Sequence, residues 1–183
     1  MDTDLVTRAQ RGDEEAFASL AVAIGDRLHA VSHRILRDID LAEDATQQAL
    51  LAIWRDLPKL RDPARFDAWS YRLLVHACYA EGRRTRQWGP NLRILPVDEP
   101  AGADASSSVA DRDQLERGFS RLRPEQRAVV VLHFYSGYSA AEIAEILGIP
   151  SGTARSRLHY ATEALRAALE ADARRPVAQN GTA

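Results

Sequence analysis

The chain has 183 residues, 45% hydrophobic and 27% charged, with a formal net charge of −2. That is enough apolar material for one ordinary domain or two small ones, and too much for a disordered chain. The longest unbroken apolar run, Ala49-Leu50-Leu51-Ala52-Ile53-Trp54, falls far short of the roughly 20 residues of a membrane span. The start, with Asp2, Asp4 and Arg8, lacks the apolar stretch of a secretory signal. A lone cysteine, Cys78, excludes an internal disulfide and a Cys-rich zinc site and suits a reducing cytoplasm. The histidines at 29, 33, 76, 133 and 159 are read as no metal site, and no cofactor is expected.

The charge is unevenly placed. Between 61 and 93 seven arginines stand against three acids, a local +4; between 96 and 116 six acids stand against one arginine, a local −5. This predicts a basic surface followed by an acidic connector. Chain breakers fall in the same place: Gly89, Pro90, Pro96, Pro100, Gly102 and Ser106-Ser107-Ser108 mark a flexible linker. The expected organisation is a helical module over 1–88, an acidic linker over 89–111, a second helical module over 112–172 and a disordered tail over 173–183.

The first module reads as four helices. Glu14–Ile24 sets Phe17, Leu20, Ala21 and Ile24 on one stripe, and Asp26–Arg37 does the same with Leu28, Val31, Ile35 and Leu36, with Gly25 between them. A third, from about Leu41 to Leu57, stops before Pro58. A fourth runs from about Phe66 to Glu81, with Gly82 as its stop. In the second module Pro124 opens a helix, and an apolar stretch, Ala128–Tyr135, ends at Gly137. Ser139-Ala140-Ala141-Glu142 has the form of a capping box. The short helix it starts, Ala140 to Leu147, stops at Gly148, and Ile149-Pro150 turns the chain. Ser151 or Thr153 then caps a longer helix reaching about Ala171. Ile143, Leu147, Ile149 and Leu158 supply the wedge between the two helices, and small Ala144 lets them approach. Period-two alternation is absent. The fold class is all-α: two small helical domains joined by a flexible linker, the second a helix-turn-helix.

In a helix-turn-helix the first turns of the second helix enter the major groove, which makes Arg155, Ser156, Arg157 and His159 the candidate base readers. An arginine there can donate twice to guanine or clamp a phosphate. The alternative is a plain helical hairpin with solvated arginines. The fourth helix carries a second constellation: Phe66, Trp69, Tyr71, Tyr79 and Trp88 interleaved with Arg65, Arg72, Arg83, Arg84 and Arg86. Aromatics among arginines suit single-stranded nucleic acid, whose bases stack and whose phosphates need neutralising. The aromatics could equally be the core of a small bundle. Cys78 and His76, two positions apart on a helix, do not face each other and make no nucleophile pair. Asp44, Gln47 and Gln48 read as a solvated face. No constellation supports an enzyme.

Asp40-Leu41-Ala42-Glu43-Asp44-Ala45-Thr46-Gln47-Gln48, Ala52-Ile53-Trp54-Arg55 and Phe66-Asp67-Ala68-Trp69-Ser70-Tyr71-Arg72 resemble the second conserved region of the extracytoplasmic-function (ECF) sigma factors of bacterial RNA polymerase. Tyr138 to Pro150 and Gly152-Thr153-Ala154-Arg155-Ser156-Arg157-Leu158 resemble their fourth region. The resemblance implies an initiation subunit that carries core RNA polymerase to promoter DNA. It implies that Asp44, Gln47, Gln48 and Trp54 bind the clamp of the largest polymerase subunit. The fourth region then meets the polymerase flap and reads the minus-thirty-five element through Arg155, Ser156, Arg157 and His159. The minus-ten element falls to the loop of about Leu57–Phe66 and the fourth helix, with Arg65, Phe66, Trp69, Arg72, His76, Tyr79, Arg83 and Arg84 as its contacts. The acidic linker threads the polymerase channels, and an anti-sigma factor is a common partner in the family. The chain departs from the family pattern at His76 and Ala80, where Asn and Asp are usual, at Gly82, and at Tyr160; these positions bear on promoter sequence, not on the role. The rival reading is a stand-alone helix-turn-helix regulator binding duplex operators as a dimer.

Overall fold

The computed structural model describes residues 1–88 and 115–173. The linker expected over 89–111 and the tail expected beyond 173 lie outside the described residues, as do the side chains of Arg86 and Trp88. Among the described residues the regular structure is helical, without strands. In chain order come α1 (Thr3–Gln10), α2 (Glu14–Leu36), α3 (Ile39–Asp56), two 3₁₀ turns (Leu57–Lys59 and Pro63–Arg65) and α4 (Phe66–Trp88). Then follow α5, described over 115–120, α6 (Pro124–Val130) continuing as a π turn (Val131–Tyr135), α7 (Ala140–Leu147) and α8 (Ser151–Ala173). None of these helices is long and apolar enough to cross a membrane.

The first region differs from the four helices expected. The two separated by Gly25 are one helix, α2, because Leu20, Ile24, Leu28, Val31 and Ile35 stay in phase across the glycine and are wholly buried. A mid-helix glycine costs about 1 kcal/mol, less than burying any one of these side chains returns, at about 1.5–3 kcal/mol each. α4 also runs on through Gly82, where a Cβ would lie 3.8 Å from Leu36 Cδ2. At Gly25 a Cβ would meet nothing within 4 Å. Gly25→Ala is therefore expected to stabilise the fold by about 1 kcal/mol, raising the melting temperature by a few degrees; an unchanged or lower melting point contradicts this.

Helix α1 was not anticipated. Its signals are Asp2, whose carboxylate accepts from the Asp4 N–H at 2.9 Å, and the buried pair Val6 and Ala9. α2 and α3 are joined through a buried polar knot: the Ser32 and Thr46 hydroxyls lie 3.0 Å apart and both reach the Ala42 carbonyl. Phe17 of α2 meets Trp54 of α3 edge-on, with centroids 4.5 Å apart. Cys78 is buried in the core, where loss of hydration pushes its thiol up to about 12, so it stays a neutral packing group.

The second region follows the expected outline. Ser139 N–H donates to Glu142 Oε2 at 2.8 Å, and Glu142 N–H donates to Ser139 Oγ at 3.3 Å, closing the capping box of α7. Gly148 ends α7 in the left-handed conformation, φ 64°, which only glycine adopts without strain. Ile143, Ala144, Leu147, Ala154 and Ala161 are buried between α7 and α8, while Ile149 and Leu158 sit half-buried at the edge of this wedge. The apolar core continues without a break from the first region into the second.

Candidate nucleic-acid interface

α4 and the turn before it carry a set of exposed cations, while Asp67 pairs with Arg27 of α2 and Glu81 is buried. Arg65, at the end of the second 3₁₀ turn, and Arg72, His76, Arg83 and Arg84 on α4 are exposed, and Trp69 is half-buried between Arg65 and Arg72. Spacings of three, four and seven residues align Arg65, Trp69, Arg72, His76 and Arg83 in one stripe. Phe66 stands apart from this set: it is wholly buried, its ring 6.0 Å from that of Trp69, so it holds the indole from behind. Tyr79 is half-buried with its hydroxyl enclosed, and burial pushes that hydroxyl well above the ordinary tyrosine range. Tyr71 belongs to the core. His76 is held below the ordinary histidine range by partial desolvation, then by Arg72 and Arg83. Its ring is therefore neutral near pH 7 and offers one donor and one acceptor.

The loop before α4 is fixed rather than free. Asp62 accepts from the Ala64 N–H at 3.0 Å and starts the turn that ends at Arg65. From α1, Gln10 Nε2 donates to the Leu57 carbonyl at 3.2 Å and to the Leu60 carbonyl at 2.7 Å. Two carbonyls gripped by one amide set the path of the loop, and this role of Gln10 was not legible without α1.

On α8, Arg155, Ser156 and His159 are exposed and Arg157 is half-buried. Ser156 Oγ donates to the Thr153 carbonyl at 3.0 Å, which leaves its lone pairs outward. Arg155 Nη2 lies 3.5 Å from Ser151 Oγ. Tyr160, one of the departures from the family pattern, is 65% exposed beside His159. Arg155 and His159, four residues apart, share a face of α8.

A third surface lies on α3. Asp44, Gln47, Gln48 and Trp54 are exposed at helical spacing, and Leu51, 62% exposed, stands among them. Leu51, although part of the apolar run 49–54, thus joins Trp54 as an apolar member of a largely polar face. His29 and His33, one turn apart on α2, stack at 6.2 Å. Among the described residues no group of three or more His, Cys, Asp or Glu could hold a metal ion.

A bundle with a basic, aromatic face is thus followed in the chain by a helix-turn-helix with arginines at the start of its second helix. The sigma-70 region 2 family model matches residues 20–88, and the sigma-70 region 4 model matches residues 112–165. The chain is 33% identical over 158 residues to the ECF RNA polymerase sigma factor SigM of Mycobacterium tuberculosis, covering 85% of this chain and 78% of that protein. It is 34% identical over 166 residues to SigL of the same organism, covering 87% and 94%. The fold also matches the sigma factor RpoE of Bartonella quintana, solved in complex with the anti-sigma factor NepR, with a TM-score of 0.66, 23% identity, and 85% and 98% of the two chains covered. The chain belongs to the ECF sigma factors of RNA polymerase.

Proposed function

We propose that three surfaces divide the work of initiation. The exposed face of α3, with Asp44, Gln47, Gln48, Leu51 and Trp54, docks on the clamp of the largest subunit of core polymerase. The pinned loop and the α4 stripe, Arg65, Trp69, Arg72, His76, Arg83 and Arg84, take the minus-ten element as a single strand, bases against the indole and phosphates on the guanidinium groups. Arg155, Ser156, Arg157 and His159 read the minus-thirty-five element as duplex from the major groove, while the second region also meets the polymerase flap. The acidic segment over 89–111 links the domains 1–88 and 112–172 along basic polymerase channels. The chain works in the cytoplasm by binding rather than by catalysis, and an anti-sigma factor, as in the RpoE–NepR complex, is its natural antagonist.

The observation that carries this reading is the α4 stripe: a tryptophan flanked by exposed arginines beside a loop whose carbonyls are clamped. A duplex-only regulator has no use for a stacking platform, and this disfavours the stand-alone alternative. The docking face is tested by Gln47→Ala, Gln48→Ala and Leu51→Ala combined, all exposed positions. Titrating labelled protein with core polymerase is expected to show affinity reduced at least about tenfold, since central interface residues often contribute 1–2 kcal/mol or more. Unchanged affinity contradicts the assignment of this face.

A further inference from the structure

We infer that Gln10 of α1 is a positioning residue for promoter specificity: by gripping the Leu57 and Leu60 carbonyls it fixes where the loop holds Arg61, and so which base the loop accepts. The inference rests on the loop of about Leu57–Phe66 reading the minus-ten element. Between its two 3₁₀ turns the loop presents Leu60, Arg61 and Asp62. With Trp69 and Arg72 they line a cleft of about 710 Å³, and Glu145, ion-paired with Arg65, stands on its far side. The Asp62 carboxylate is engaged by the Ala64 N–H, so the exposed Arg61 guanidinium is the polar group this segment offers to a base. The sigma-70 region 2 match begins at residue 20. Gln10 therefore lies ahead of the matched segment.

A carboxamide carries two N–H donors, and Gln10 directs its nitrogen to both carbonyls. The Leu57 carbonyl also accepts from the Leu60 N–H at 3.0 Å, which closes the first turn. One side chain thus fixes the turn and the direction in which the chain leaves it, immediately before Arg61. A rotation at Leu60 swings the guanidinium away, whereas a recognition group must stay within about 0.5 Å of its working position. The grip is as firm as α1 itself. Arg8 donates to Asp13 Oδ2 from Nε at 3.0 Å and from Nη2 at 2.7 Å. Asp13 in turn caps α2 by accepting from the Ala16 N–H at 2.9 Å. Gly12, φ 90°, turns the chain between the two helices. Val6 and Ala9 are buried, and α1 packs against both 3₁₀ turns. The line of support therefore runs from the α2 cap through α1 to the loop.

The test uses holoenzyme assembled from core polymerase and the full chain, unaltered or carrying Gln10→Glu, Gln10→Ala or Arg61→Ala. Each partitions a pool of random-sequence single strands, and sequencing of the bound fraction gives the base enrichment at every position. Arg61→Ala is expected to flatten the preference at one position, which marks the base the loop reads. Gln10→Glu keeps the size of the side chain and sets a carboxylate, without donors, against the two carbonyls. It is expected to lower the enrichment ratio at that same position about fivefold, and Gln10→Ala about threefold, as one or two hydrogen bonds are lost. Preferences elsewhere are expected to hold. A ratio between bases is insensitive to the amount of folded protein, so a purely structural role leaves it unmoved. Full preference at the marked position in both Gln10 variants overturns the inference and leaves the loop reading standing. An even weakening at all positions also overturns it and reduces Gln10 to packing. No change at any position in Arg61→Ala overturns the loop reading, and the inference with it. Should Gln10→Glu fail to fold, Gln10→Ala decides between these results.

Discussion

Replacing Arg155 and Arg157 together with alanine is expected to cut promoter recruitment through the minus-thirty-five element by roughly a hundredfold. Each arginine in a good base or phosphate contact contributes about 1–3 kcal/mol, and losing two well-separated contacts is close to additive. Arg155 is exposed on the first turns of α8 and Arg157 is half-buried beside it, so neither removal opens a cavity in the wedge formed by Ile143, Leu147 and Ala154. Binding to core polymerase is expected to be unchanged, because the α3 docking face lies on the other region and the two arginines are assigned to DNA rather than to the flap. Competitive binding of holoenzyme to duplex promoter fragments measures the first quantity, and titration with core enzyme the second. A parallel loss of core binding contradicts the division between the surfaces.

Trp69→Ala is expected to reduce opening of a duplex promoter by about tenfold or more, since a stacked base contributes roughly 1–3 kcal/mol. On a template already unpaired across the minus-ten element the defect is expected to be smaller, because the unpairing no longer depends on capture by the indole. Trp69 is suited to this by its position: Phe66 supports one side from the core and the cleft lies on the other. Permanganate reactivity of unpaired thymines, compared on the two templates, makes the measurement. Equal defects on both would reduce Trp69 to a packing residue.

The sequence was most informative where a local rule decides the geometry. Ser139, Glu142 and Gly148 mark both ends of α7, and the structure realises all three as cap and stop, because capping depends only on neighbours in the chain. Breakers inside long apolar phases were less informative: Gly25 suggested a helix boundary, yet buried residues on both sides outweigh one glycine, and α4 likewise continues past Gly82. α1 went unread because its few buried positions, Val6 and Ala9, gain meaning only against the rest of the bundle.

The candidate sites divided in the same way. Composition identified the mixture of aromatics and arginines on α4, but only packing separates half-buried Trp69 from Phe66 and Tyr71, which belong to the core. The pinning of the loop by Gln10 and the pairing of Arg65 with Glu145 join residues 47, 50 and 80 positions apart. No local pattern encodes contacts at that range.

If this chain gives core polymerase the ability to open and use promoters, one region holding an unpaired strand and the other intact duplex, run-off transcription by core polymerase over a randomised promoter library, with and without the protein, will show it. Transcripts are expected that depend on the protein and start downstream of two recurring sequence elements, the upstream one lost from the Arg155→Ala, Arg157→Ala variant. Transcription that is the same with and without the protein on every template contradicts it.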